Sequence, residues 1–239
     1  MQPDPQELIE SLGLESPLVG FYDPPDVAPF EPVVRPAPGK TTCIFAFYRN
    51  WMKGDTLCLT PENFGCRGAG SCLLSVPVRS TEELVAFLVE GEGLRKSREL
   101  MRPWVERRRT HQPEFGHVVI GPLRRDQYAH LKAVTFYVNP DQLSALVVGA
   151  HYNSGPDSPP PVVAPFGSGC MQLLPDHSDR AVPQAVIGGT DITMRHFLPP
   201  DTLAFTVNKP MFRQLCELDV KSFLHKHVWR ELKDARELV

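Results

Sequence analysis

A chain of 239 residues with 42% hydrophobic content can bury a sizeable core without disulfide or metal staples, which makes any metal a question of function rather than of folding. Twenty-five Lys and Arg against 28 Asp and Glu leave a formal charge of -3, so no global basic field attracts nucleic acid. No apolar run of about eighteen residues offers a membrane span, and the opening MQPDPQELIESLGLE carries acidic residues where a secretory leader is basic, so the expected compartment is the cytoplasm, with the six cysteines as thiols.

In chain order, Gln6 to Leu14 reads as a short helix with Leu8, Ile9 and Leu12 on one face and Gly13 at its end. Pro17 to Tyr22 reads as a strand. Six prolines between Asp23 and Lys40 predict a long surface loop, since proline cannot donate to a ladder. Thr41 to Met52 predicts a helix capped by Thr41 or Thr42, and Asp55 to Leu59 a strand; Gly65 to Cys72 (GCRGAGSC) reads as a loop entering a helix. Ser80 to Gly91 is the clearest helix, because Ser80 and Glu83 form a capping-box pattern ahead of Leu84, Phe87 and Leu88.

The basic stretch Arg95 to Arg109 reads as a solvated helix face, with an acidic partner as the second reading, and Pro103 predicts a break or kink. His117 to Leu123 and Ala133 to Asn139 are rich in β-branched and aromatic residues and predict strands of one central sheet. Pro140 to Tyr152 predicts a helix capped by Asn139, and the five prolines of Asn153 to Pro165 form either a loop or the join between two lobes. AVPQAVIG and TLAFTV read as strands around a helical TDITMRHF, and the chain ends in helix from Met211. This mixture without strict βαβ alternation predicts a single α+β domain over residues 1–239, with a mixed, partly antiparallel sheet. The echo between GAGSCLL and GSGCMQLL is too short to establish an internal repeat.

Five motifs in this order, Cys43 in its apolar run, ENFGCRGAG, YVNPDQLSALVVGAHY, GSGC and IGGTDITMRHFLPPDTLAFTV, resemble those of ArCR, an archaeal and bacterial domain-of-unknown-function family. The resemblance runs from about Pro17 to the C-terminal helix. It implies one domain with a ligand site, with Cys43, Asn63, Cys66, Asn139, Gln142, Cys170, Asp191 and Arg195 as the matching positions, and it implies no reaction. Cys58, Cys72 and Cys216 stand outside the pattern.

Cys66, with Gly68 nearby, and Cys170 lie in glycine-rich settings where backbone can approach a ligand, and a thiol at a helix start is acidified. The cysteine spacings match neither a zinc CxxC pair nor a ferredoxin run, and a buried cysteine often serves only as a small hydrophobe. Asp191 and Arg195 are spaced for an i,i+4 ion pair or for an anion clamp led by the guanidinium. Asn139 and Gln142 bracket a strand-to-helix junction and either cap the helix or reach a ligand. The leading expectation is a metal or iron–sulfur cofactor held by Cys43, Cys66 and Cys170, beside a pocket for a small anionic ligand lined by Asn63, Gly68, Asn139, Gln142, Asp191 and Arg195. The rivals are a non-catalytic small-molecule or protein-binding domain with buried structural cysteines, and a cofactor-free thiol enzyme. Nothing in the residues fixes the oligomeric state.

Overall fold

A computed structural model describes residues 2–39, 42–64, 66, 72–74, 80–107, 110–165 and 182–237. The strands are β1 (Val19–Tyr22), β2 (Val33–Val34), β3 (Thr56–Leu59), β4 (Val118–Pro122), β5 (Leu131–Val138), β6 (Val162–Val163), β7 (Ala185–Gly188) and β8 (Leu203–Asn208). They form one mixed eight-stranded sheet in the order β2-β3-β4-β1-β5-β8-β7-β6. The inner pairs are antiparallel, while β2 and β6 lie parallel to β3 and β7 at the two edges. The fold is α+β. Both proline-rich segments contribute an edge strand of two residues, a length that limits unpaired backbone at the edges.

The strand order carries an internal two-fold pattern. Read from its edge, the first half is β2-β3-β4-β1 and the second is β6-β7-β8-β5, with the same parallel and antiparallel pairings, and β1 meets β5 at the centre. Each connection in the first half therefore has a counterpart in the second. The β2-to-β3 connection carries Cys43 and its counterpart between β6 and β7 carries Cys170; the β3-to-β4 connection carries Cys66 and its counterpart carries Asp191.

Helices α1 (Gln6–Leu12), α5 (Pro140–His151), α6 (Lys209–Cys216) and α7 (His227–Glu237) belong to one face of the sheet, where Leu8, Leu12, Leu146, Met211, Phe212, Leu215 and Trp229 pack on Tyr22, Val134, Phe136 and Phe205. The opposite face is covered by the turn Ile44–Phe47 with α2 (Tyr48–Met52), by Phe64, Leu73 and Leu74, and by Met194 and Leu198. Between α2 and α5 the chain makes a satellite of two helices, α3 (Thr81–Ala86, continued by a wider turn Phe87–Gly91) and α4 (Arg98–Arg107), around Leu84, Val85, Leu88, Met101 and Val105. Ser80 and Glu83 cap α3 reciprocally, as the sequence predicts. Helix α4 runs continuously through Pro103 instead of ending there. Its Arg98 and Arg102 pair with Glu90 and Glu82 of the same satellite, so part of the basic stretch is already matched internally. Among the described residues no helix is long and apolar enough to cross a membrane.

Candidate functional site

The segment between β2 and β3 fixes Cys43. Ile44, Phe45 and Trp51 are buried in the core, and anchoring them leaves Cys43 in extended conformation (φ -67°, ψ 142°) at the start of a tight 3-10 turn. The expected single helix from Thr41 to Met52 is thus replaced by an extended residue, a 3-10 turn and the short α2. Burial pushes the half-buried Cys43 thiol up to about 11; the Phe45 amide opposes the rise, and Cys66 and Asp191 nearby reinforce it. A thiol so placed is protonated at neutral pH.

Three separate connections contribute to the core cluster on this face. Cys66 is half-buried against the same core cluster as Cys43, Tyr48 and Met52. Asp191 is 5% exposed, and its Oδ1 accepts from the Thr193 amide at 2.9 Å and the Thr193 hydroxyl at 2.8 Å. This side-chain turn satisfies the backbone locally and competes with helix, which is why TDITMRHF is a turn followed by a 3-10 segment rather than the expected helix. Gly189, just upstream, reverses the chain with φ +74°, a conformation that favours glycine.

Beneath these groups lies an aromatic floor that the sequence did not single out. Tyr137 is 3% exposed on β5; Trp51 stacks on it at 6.1 Å between ring centroids and 21° between planes, and Tyr48 meets it edge-on at 5.0 Å. The Tyr137 hydroxyl and the Trp51 Nε1 are buried with no hydrogen-bond partner among the described residues. Desolvation holds the Tyr137 phenol far above its ordinary pKa, and the charges of Tyr48 and Cys43 add to the rise. The only hint in the sequence was the aromatic content of two apolar runs, which equally describes plain core.

Other expected site residues make contacts within the fold. The Arg195 guanidinium is engaged by main chain: its Nη1 donates to the carbonyls of Gly189 (3.2 Å) and Thr202 (2.6 Å), and its Nη2 to those of Pro199 and Pro200 (both 2.9 Å). The expected ion pair with Asp191 is likewise replaced by these main-chain bonds. Asn63 folds the turn after β3, its Oδ1 accepting from the Thr60 amide at 2.8 Å and its Nδ2 donating to the Cys58 carbonyl at 3.1 Å. Asn139 and Gln142 form a reciprocal capping box on α5, and Gln142 Nε2 also donates to the Leu12 and Gly13 carbonyls, tying α5 to the end of α1. Gly68 and Cys170 lie outside the described residues.

Cys58 is buried in β3, and Cys216 lies on the opposite face of the sheet in a shallow pocket with Glu7, Ser11 and His225. Burial pushes Cys216 up to about 12. A further polar contact escaped the sequence reading: His111 Nε2 lies 3.1 Å from Asp23 Oδ2, both side chains nearly buried at the end of β1. Among the described residues, no three His, Cys, Asp or Glu side chains are grouped to hold a metal ion.

No curated protein and no solved structure matches the chain. The DUF169 family, described as uncharacterised ArCR, matches residues 7–217, and the chain belongs to that family.

Proposed function

We propose that this member of the DUF169 family holds a soft metal ion or an iron–sulfur cluster on the thiols of Cys43 and Cys66, with Cys170 as a third sulfur ligand and one coordination position left for substrate. The observation that supports the reading is that Cys43 and Cys66, from connections remote in sequence, lie half-buried on one core cluster. Burial and negative neighbours keep the thiol protonated and make it a poor free nucleophile, which weighs against a cofactor-free thiol enzyme. The same surroundings favour a cation, since a bound metal displaces the thiol protons and stabilises the thiolates. Support for Cys170 comes from the two-fold strand order, in which the connection carrying it is the counterpart of the one carrying Cys43. The pocket for an anionic substrate is not part of this reading, because the guanidinium meant to anchor it is committed to carbonyls.

The test is elemental analysis and cobalt(II) titration of protein purified without oxygen. The reading expects about one metal ion or cluster per chain, with a sulfur-to-cobalt charge-transfer band that Cys43→Ser, Cys66→Ser and Cys170→Ser each remove and Cys216→Ser leaves intact. Cobalt uptake without that band, or a band indifferent to Cys43 and Cys66, would return the cysteines to a packing role in a binding domain.

A further inference from the structure

Two hydrogen-bond donors on the aromatic floor lack an acceptor. Tyr137 and Trp51 are 3% and 0% exposed, and among the described residues neither the phenol O–H nor the indole N–H has a partner. Folding removes both groups from water, and a buried donor left unmade is a cost that native cores rarely retain without cause. Two comparable buried groups avoid the cost: the Tyr22 hydroxyl accepts from the Arg124 amide at 2.6 Å, and Trp229 Nε1 donates to the Ser11 carbonyl at 2.7 Å. Trp51 and Tyr137 belong to one cluster, their rings nearly parallel, and the Cys43 thiol is within electrostatic reach of the phenol.

We infer that Tyr137 and Trp51 form the acceptor-binding end of the site, their O–H and N–H donating to a compact ligand that brings its own lone pairs and sits between the aromatic floor and Cys43. An indole N–H donates only, so a ligand offering nothing but donors cannot satisfy it. The buried acidic side chain of Asp191 makes this neighbourhood unfavourable for a bare anion, so an anionic acceptor such as hydrosulfide or azide enters with a metal cation, whereas a neutral oxygen acceptor such as a sulfoxide needs none. The anionic case rests on the cofactor reading; the neutral one does not.

The experiment follows the indole N–H resonances of the three tryptophans by proton–nitrogen NMR, with Trp51 assigned from its loss in Trp51→Phe. Dimethyl sulfoxide is titrated into metal-free protein and azide into zinc-loaded protein. The Trp51 resonance is expected to shift downfield and saturate in at least one arm while that of Trp229 stays in place, and Tyr137→Phe should weaken that binding roughly tenfold, the effect of one lost hydrogen bond. A Trp51 resonance unmoved in both arms, or an affinity indifferent to Tyr137→Phe, overturns the inference, and should that variant fail to fold the wild-type titrations decide alone. A sulfoxide shift in protein that takes up no zinc keeps the acceptor site and removes the cofactor. Zinc uptake with Trp51 silent does the reverse.

Discussion

Tyr22 and Tyr137 lie in strands that meet at the centre of the sheet, point to opposite faces and are equally hidden from water. Around Tyr22, under the long helices, the hydroxyl accepts from the Arg124 amide and faces the Pro122 carbonyl at 3.4 Å. Around Tyr137, under the short turns that carry Cys43 and Asp191, the hydroxyl and the neighbouring indole find no partner among the described residues. Similar burial with opposite satisfaction separates a tyrosine that builds the fold from one that the inferred ligand would complete. Departures from local consistency are expected where function is located.

The largest expected effect concerns the scaffold of the second face. Arg195→Ala removes four charge-assisted bonds to carbonyls and should destabilise the protein by about 3 kcal/mol in urea unfolding, with Arg195→Lys recovering only part because an ammonium cannot match the fork. If Arg195→Ala instead left stability untouched and abolished binding of a small anion, the division between scaffold and site would be drawn in the wrong place.

A smaller effect follows from the thiols. The Cys43 pKa rises on folding from 9.0 to about 11, so the native state keeps a proton that the unfolded chain loses first. Stability from this group is intact below pH 9 and is lost as pH climbs from 9 to about 11, amounting to about 2 kcal/mol once the ~2.7 kcal/mol of a two-unit shift is discounted for the solvent screening of a half-buried group. Cys43→Ala should flatten that stretch of the stability–pH curve in metal-free protein. Cys216→Ala should flatten a stretch that reaches about pH 12, on the other face. The smallest effect is the sharpest comparison: Tyr22→Phe should cost about 1 kcal/mol, while Tyr137→Phe should be neutral or mildly stabilising in unliganded protein, because it removes a polar atom that had no partner. Equal costs for the two substitutions would erase the distinction between the faces.

Much of the fold was legible because its signals are local. The Ser80–Glu83 and Asn139–Gln142 capping boxes and the β-branched runs of β4 and β5 stand in the sequence as they do in the structure. The strand order was not legible, since pairing β1 with β4 and β5 depends on contacts between distant segments. Edge strands of two residues inside proline-rich loops are too short to leave a pattern. At the site, residue identity alone drew attention to Cys43, Cys66, Asp191 and Arg195, and the carbonyl bonds of Arg195 were not legible because a guanidinium looks the same in sequence whether it binds carbonyls or anions. Tyr137 escaped because β5 is buried on both faces, so no alternation of apolar and polar residues distinguishes it from Phe136.

The central claim is most directly tested by alkylating the cysteines of anaerobically prepared, metal-loaded protein, before and after chelation, with mass spectrometry reporting each site. The account predicts that Cys43 and Cys66 are protected while the site is loaded and become reactive once it is stripped, with Cys216 behaving alike in both states. Rapid labelling of Cys43 from the start, or resistance of Cys43 and Cys66 in both states until the protein unfolds, would contradict it.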